Sequence, residues 1–300
     1  MQEPIESYCR KGIVHFMLFP DCADGSGPVI DTFLQLATDG DLDVIELGQI
    51  QDRATRQELA QIARAARIDL VAAAQPRMLR DRLNLAATRD SDRSKALAAM
   101  RAELDNAVEL GAGTLALMSG FDPDYTQRDA ALTQLVRSLQ ELCRAAEEYG
   151  LQILLEPFER EGGSKALLGP TAEAVEVWRQ VGCRNFGLLL DLANMARLGE
   201  RPVRALPLAR ECLRHVHVGA CMFDPSPRPT EPPQPAFRAT GPVDGVPQLA
   251  EFLRVLLDIG FLNTRSRPVM SFEIQPRPPC SPALALAGAK RSVRTAWLEV

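Results

Sequence analysis

Four short apolar segments of this chain carry, at or near their ends, a side chain of a kind that binds metal ions. Glu156, Asp191 and Glu273 each close a run of strand length, and His217 lies near the end of a fourth. Carboxylates are rarely buried without a partner. Three carboxylates and one imidazole favour Mn²⁺, Mg²⁺ or Co²⁺ over a structural zinc ion, which prefers closed, thiolate-rich sites. These residue types therefore predict a divalent cation, provided that the fold brings the four strand ends together.

Strand and helix patterns alternate along the chain, and this alternation sets the expected fold. The predicted strands are 12–19, 43–47, 68–73, 114–118, 151–156, 186–191, 213–218 and 268–273. The predicted helices are near 28–39, 53–67, 92–110, 127–149, 171–181, 203–212, 246–260 and 283–298. Eight such units in 300 residues predict one (β/α)8 TIM barrel domain spanning residues 1–300. An open doubly wound sheet is the alternative, but no Gly-x-Gly-x-x-Gly follows the first strand.

A barrel would place the four candidate ligands close together, because the carboxyl ends of its strands converge on one face. Glu156, Asp191, His217 and Glu273 would come from strands five to eight, which are neighbours around the ring. The alternative for any one of these acids is an ordinary structural role, as a helix cap or as the partner of an arginine. Four strand-end ligands on consecutive strands favour a shared site.

Composition excludes several classes of protein. The chain is 46% hydrophobic and 24% charged, with a net charge of −5 and a pI near 5.4, so it lacks the basic field of a nucleic-acid-binding surface. No apolar run approaches membrane-spanning length, and the first residues show no signal-peptide pattern. Seven cysteines without a Cys-x-x-Cys pair indicate reduced thiols. We therefore expect a cytoplasmic protein that binds neither nucleic acid nor membrane.

Further polar residues lie where a substrate could be contacted. A proline-rich loop over residues 224–241 follows the strand that holds His217, and we expect it to extend over the carboxyl-end face of the barrel. The candidate substrate contacts are His15, Glu46, Gln75, Lys165, Asn194, Arg238 and Gln275. For each of them the alternative is a solvated or loop-bracing side chain. His215, two residues before His217, is interpreted as a histidine of the barrel core.

Four of these segments resemble the sugar phosphate isomerase/epimerase family of xylose-isomerase-like barrels. The motifs are Glu156-Pro-Phe, Gly-Leu-Leu-Leu-Asp191, His215-Val-His217-Val-Gly and Ser271-Phe-Glu273. The resemblance covers nearly the whole chain and implies that Glu156, Asp191, His217 and Glu273 bind a divalent metal. Mn²⁺ is the first expectation, with Mg²⁺, Co²⁺ or Zn²⁺ as alternatives. The resemblance also implies that Glu156 and Glu273 act as acid and base beside the carbonyl of a ketose, through a metal-stabilised enediolate.

Within that family the chain looks closest to the catalytic subunits of C-glycoside deglycosidases, which act on 3-keto sugars. The likeness rests on stretches such as Ile13-Val-His-Phe-Met, Ala74-Gln-Pro and Val269-Met-Ser-Phe-Glu. If it holds, a small β subunit would be the partner; otherwise we expect a homo-oligomer.

Two residues depart from the family pattern. Asn194 stands three residues after Asp191, where many members have a histidine that contacts substrate. An amide can bond a hydroxyl group but cannot act as an acid near neutral pH. Gln234 stands where the deglycosidase-like subgroup tends to have a histidine. These departures predict a changed substrate or reaction, or a weakened activity.

Four functions are weighed on this basis. The first is a metal-dependent isomerase or epimerase acting on a ketose or keto-sugar carbohydrate, and the second is a lyase that cleaves a 3-keto glycoside. A DNA-repair endonuclease of the same superfamily is disfavoured, because the chain is acidic and has only three histidines. A non-catalytic binding barrel is disfavoured because all four candidate ligands are present.

Overall fold

The eight strands of the protein form a closed parallel barrel. The computed structural model describes residues 3–160, 165–219, 245–276 and 279–300, so the proline-rich loop 224–241 lies outside the described residues. The strands are β1 (Arg10–Val14), β2 (Val44–Leu47), β3 (Asp69–Ala73), β4 (Thr114–Met118), β5 (Gln152–Glu156), β6 (Phe186–Asp191), β7 (Leu213–Val218) and β8 (Val269–Phe272). Each strand pairs with the next along the chain, and β8 pairs with β1. The predicted (β/α)8 barrel is confirmed.

Helices follow the strands and cover the outside of the barrel. The longer ones are α2 (Val29–Ala37), α3 (Arg53–Ala66), α5 (Asp90–Leu110), α6 (Arg128–Glu147), α7 (Thr171–Val181), α9 (Pro202–Leu208), α10 (Val246–Asp258) and α11 (Pro282–Trp297). In α6, the buried residues Leu135, Leu139 and Leu142 recur at helical spacing and face the barrel. Glycines with positive φ, such as Gly111 after α5, end several of these helices.

Three short helices at the carboxyl ends of strands differ from the prediction. They are α1 (His15–Leu18), α4 (Gln75–Arg80) and α8 (Leu192–Arg197). The first strand was expected to continue to residue 19, but it ends at Val14 and His15 begins a helical turn, closed by a 2.8 Å bond from Phe19 N to His15 O. A short apolar run fits a strand and a helix equally well, so periodicity alone could not distinguish them.

The barrel interior has an apolar floor beneath its carboxyl-end face. Six side chains from six different strands form a cluster separate from the outer core: Val44, Val71, Ala116, Leu154, Leu189 and Val269. Alternate residues of a strand point to the same face. Therefore the residues two positions after Val44, Leu154 and Leu189 also point into the barrel, one layer higher. Those residues are Glu46, Glu156 and Asp191.

Strand register then sets the height of the polar layer. Asp191 of β6 pairs with His217 of β7, and His217 pairs with Ser271 of β8. Glu273 follows β8, and its backbone N–H donates to Val218 O over 3.0 Å, which holds it beside the end of β7.

None of the helices in the described ranges combines the length and the hydropathy needed to cross a membrane.

Candidate metal centre

Three of the four predicted ligands meet at the carboxyl ends of β5, β7 and β8. One ligand atom each from Glu156, His217 and Glu273 lies within 4.8 Å of the other two. His217 Nδ1 lies 3.2 Å from Glu273 Oε2 and 3.8 Å from Glu156 Oε1. The imidazole nitrogen therefore lies beside one carboxylate from the end of β5 and one from the residue after β8. Separations of this size suit ligands that share one small cation.

His217 is buried and contacts acids on both sides of its ring. Its other nitrogen, Nε2, lies 3.0 Å and 3.2 Å from the two oxygens of Glu46. Burial alone would lower the pKa of His217, but Glu46 and Glu273 outweigh it and raise this pKa well above its usual range. These two acids thus favour the imidazolium form of His217, whose two N–H groups can donate to the carboxylates on both sides of the ring.

Both carboxylate oxygens of Glu156 accept hydrogen bonds from side-chain amides. Gln75 Nε2 donates to Oε2 over 2.9 Å, and Asn194 Nδ2 donates to Oε1 over 3.1 Å. Arg197 Nη1 donates to Asn194 Oδ1 over 3.1 Å. Since a guanidinium only donates, this contact fixes which end of the Asn194 amide faces Glu156. Burial, followed by the charge of Glu273, raises the pKa of Glu156 well above its usual range.

Asp191 lies beside the trio of Glu156, His217 and Glu273 but is not part of it at the 4.8 Å limit. Its Oδ1 accepts from the backbone N–H of Asn194 over 2.6 Å, which also caps α8. Its Oδ2 is buried, and the part of the chain that is described gives it no hydrogen-bond partner. Burial and the charge of Glu273 raise the pKa of Asp191 to about 7.

These residues fit a divalent cation. A buried carboxylate oxygen without a partner is costly, and a cation or a proton relieves that cost. Burial and repulsion from neighbouring carboxylates raise the pKa of both Glu156 and Asp191. Such shifts are expected at a site where a positive charge would be favourable. Three carboxylates and one imidazole suit Mn²⁺, Mg²⁺ or Co²⁺, and also a catalytic zinc ion. Which of these metals binds remains a prediction.

The predicted substrate contacts differ in whether the structure places them against Glu156. Gln75 and Asn194 are buried against Glu156, and Gln75 Oε1 is buried with no partner among the described residues. Gln275 is half-buried two residues after Glu273, and Lys165 is exposed after β5. Arg238 lies outside the described residues. Roles for Lys165, Gln275 and Arg238 remain predictions.

His15 and Glu46 have contacts that the sequence did not suggest. The Nε2 of His15 bonds Thr32 Oγ1 over 2.8 Å, so its observed partner belongs to α2. Burial lowers the pKa of His15 to about 4, and the ring is neutral near pH 7. Glu46 is 1% exposed, and its carboxylate faces His215 and His217. This geometry does not favour direct contact between Glu46 and a substrate hydroxyl.

Two residues that sequence reasoning missed are Arg197 and Ser271. Arg197 lies three residues after Asn194 on α8, a helix that was not predicted, and therefore its contact with the Asn194 amide carried no sequence signal. Ser271 Oγ lies 3.0 Å from His215 Nε2, and both side chains are buried. The sequence did contain a signal for Ser271, because this residue precedes Glu273 by two positions and therefore points to the same face of the strand. His215 is the core histidine that the sequence indicated.

Comparison with known proteins gives one family and several solved structures of the same fold. No curated protein matches the sequence significantly. D-psicose 3-epimerase from Clostridium cellulolyticum H10, solved with D-tagatose, is 18% identical over 97% of both chains, with a TM-score of 0.70. L-ribulose 3-epimerase is 18% identical over 97% of this chain and 96% of that one, with a TM-score of 0.72. The IolI protein with a bound zinc atom is 19% identical over 97% and 98% of the chains, with a TM-score of 0.74.

At these identities the solved structures establish a shared fold. The likeness to deglycosidase catalytic subunits is not among these findings and stays a prediction. The family match is more extensive, because residues 32–295 fit the xylose isomerase-like TIM barrel description and include all four candidate ligands. The chain belongs to the xylose isomerase-like TIM barrel family.

Proposed function

We propose that the protein is a divalent-metal-dependent isomerase or epimerase that acts on a ketose or keto-sugar. The observation that carries this proposal is the meeting of Glu156, His217 and Glu273 within 4.8 Å, next to the unpaired buried Oδ2 of Asp191. Solved proteins of the same fold include a D-psicose 3-epimerase and an L-ribulose 3-epimerase. Their substrates are ketoses, and we extend that substrate class to this chain.

The cation is proposed to be held by Glu156, Asp191, His217 and Glu273, with Mn²⁺ the first choice. When bound, it would supply Lewis acidity, which polarises the substrate carbonyl and makes the neighbouring C–H more acidic. The residues of the chain contribute the proton transfer and the orientation of the groups involved.

Glu156 and Glu273 are proposed as the acid–base pair. Glu156 ends β5 and Glu273 directly follows β8, and their oxygens lie 3.8 Å and 3.2 Å from His217 Nδ1. Because β5 and β8 are three positions apart around the ring, we propose that the two carboxylates approach the carbons next to the carbonyl from different directions. Removal of a proton by one carboxylate and return of a proton by the other inverts a carbon centre or moves the carbonyl.

The two carboxylates differ in how firmly they are held. Glu156 is fully buried and its two oxygens are bonded to Gln75 and Asn194. The side chain of Glu273 is 19% exposed, and His217 is its hydrogen-bond partner within the described ranges. Glu156 thus has a fixed orientation, while Glu273 retains room to move with the proton that it transfers.

Orientation of the substrate is proposed to involve Gln75. Its Nε2 donates to Glu156, so its Oε1 points elsewhere, and that atom is buried without a partner in the described chain. An unpaired buried acceptor suits a sugar hydroxyl, which can donate to it. Asn194 is different, because its amide is engaged by Glu156 and Arg197 at its two ends. We assign it to positioning Glu156.

Solvent-deuterium exchange tests the proposal. Protein stripped of metal and reloaded with Mn²⁺ is incubated in D₂O with a panel of ketoses and 3-keto sugars. Deuterium entering beside the carbonyl, dependent on Mn²⁺, supports the assignment. Product identity separates an epimer or isomer from the cleaved aglycone that a deglycosidase-type lyase would release. No Mn²⁺-dependent exchange across the panel, in protein that demonstrably holds Mn²⁺, would count against the proposed chemistry.

A further inference from the structure

Glu46 is a buried acid on the far side of His217 from the other carboxylates. It lies in β2, is 1% exposed, and has Oε1 at 3.0 Å from both His217 Nε2 and His215 Nε2. Its Oε2 lies 3.2 Å from the same His217 nitrogen. In the ring of strands, β8 and β1 separate β7 from β2, so this contact crosses the barrel interior. Such a contact ties together elements that share no strand pairing.

We propose that Glu46 is a positioning residue that holds the His217 ring with its proton on Nε2 and its Nδ1 facing the cation. This inference rests on the proposed metal-dependent function. Glu46 itself contacts neither the cation nor the substrate and acts through His217.

The two nitrogens of an imidazole play different roles when the ring binds a metal ion. A ring that binds a cation through one nitrogen keeps its proton on the other, and the partner of that N–H sets both the tautomer and the ring orientation. His217 Nδ1 faces Glu156 and Glu273, whereas Nε2 faces Glu46. A carboxylate only accepts, so Glu46 requires a proton on Nε2. Nδ1 is then the nitrogen that remains to bind the cation.

Neighbouring groups keep Glu46 and His217 in place. The rings of His215 and His217 pack edge to face, with centroids 5.2 Å apart at 89°. Ser271 Oγ contacts His215 Nε2 at 3.0 Å. There is no spare room around this serine, because a Cβ on Gly12 would lie 2.2 Å from Ser271 Oγ. Glu46 is thus held at hydrogen-bond distance from His217 within a closely packed, buried network.

The charge of Glu46, as well as its position, should affect how strongly His217 binds the cation. Hydrogen bonds are stronger electrostatically in a buried, low-dielectric setting than in water. A carboxylate that accepts the Nε2 proton makes the opposite nitrogen a better donor to a cation. Replacing Glu46 with glutamine keeps an acceptor oxygen and removes the charge, whereas alanine removes both. The two substitutions separate the effect of geometry from that of charge.

A second cation site is the alternative for these side chains. Glu46, His215 and His217 are close enough to hold a cation themselves, with His217 then shared between two ions. Separations of 3.0 Å and 3.2 Å are also ordinary hydrogen-bond distances for these groups. Hydrogen bonding satisfies the three side chains with no second cation, and we argue for that arrangement.

The test is a metal-binding titration of the full chain. Metal-free wild type, Glu46→Gln and Glu46→Ala are titrated with Mn²⁺, and Kd and stoichiometry are measured. Removing an outer partner of a metal-bound histidine typically weakens metal binding about 10–100-fold. We expect a loss in that range for Glu46→Ala and a smaller loss for Glu46→Gln, each with one equivalent bound. Ser271→Ala is the matched control, because it changes the same network at His215 and leaves the Glu46–His217 contact. Its Kd should stay close to that of wild type.

Thermal melting of the metal-free proteins shows whether each variant is folded. A purely structural role would lower the melting temperature without metal and leave the Kd of the folded protein unchanged. Wild-type-like Kd in both Glu46 variants overturns the inference, as does a second Mn²⁺ equivalent in wild type that is lost with Glu46. A wild type that binds no Mn²⁺ would instead refute the metal-dependent function itself.

Discussion

The side-chain amide of Asn194 donates to Glu156 Oε1 over 3.1 Å. The same residue donates its backbone N–H to Asp191 Oδ1 over 2.6 Å. It thereby connects two of the four predicted ligands from the first turn of α8. A histidine at this position is common among the proteins that the sequence resembles, and here an amide supports the proposed base instead.

Substitutions of Asn194 should reduce turnover in a defined order. Asn194→Ala removes the hydrogen bond that Glu156 Oε1 accepts. The loss of one hydrogen bond worth about 1.4 kcal/mol corresponds to a roughly tenfold lower rate. Asn194→Asp should be slower still, because it removes the donor and places a like charge beside a buried carboxylate. Steady-state kinetics with metal content measured in parallel checks this order. An aspartate variant as active as the alanine variant would contradict it.

Glutamine at either proposed acid–base position should stop proton exchange. Glu156→Gln and Glu273→Gln keep the size of the side chain but cannot accept a proton. General acid–base groups contribute about 10²–10⁴-fold, and we expect a loss of at least that size in solvent-deuterium exchange for each variant. Calorimetric binding of a non-reacting sugar analogue shows whether the substrate site survives. Near-normal exchange in both variants would place the base elsewhere.

The sequence predicted the barrel and the strand ends because both depend on local patterns. Apolar runs of strand length such as 186–191, ending in an acid, need no tertiary information to be recognised. Parallel topology then makes the carboxyl ends of consecutive strands converge. This was sufficient to group Glu156, His217 and Glu273, which the structure places within 4.8 Å.

What the sequence could not supply was contact across the barrel and in short helices. Glu46 and His217 are 171 residues apart, and their hydrogen bond depends on closure of the ring between β8 and β1. The orientation of the Asn194 amide depends on Arg197, within a helix of six residues that lacks a readable period. Such contacts are decided by tertiary geometry and not by propensity.

Removing the metal should destabilise the protein more at high pH than at low pH. The pKa of Asp191 is raised from 3.8 to about 7 in the metal-free fold, and that of Glu156 is also raised. Asp191 therefore contributes stability that is present below about pH 4 and lost as pH rises through about 7, and the raised pKa of Glu156 acts in the same direction. A bound cation would neutralise the carboxylates that have lost their protons at high pH. Melting scans with EDTA or Mn²⁺ should therefore show a larger metal-induced shift at pH 8 than at pH 5, and equal shifts would contradict this.

His15 should make stability sensitive to mild acid. Burial lowers its pKa from 6.5 to about 4, so between these values the unfolded chain binds a proton that the folded chain does not. Stability then falls as pH drops from about 6.5 to 4, by up to about 3 kcal/mol at 1.36 kcal/mol per pH unit. His15→Gln keeps a group able to bond Thr32 Oγ1 and cannot titrate. Urea unfolding at pH 7 and pH 5 should show a smaller loss of stability for the variant than for wild type, both loaded with metal at saturating concentration. If the two proteins lose stability equally over that range, His15 is protonated in the fold and its neutral burial is refuted.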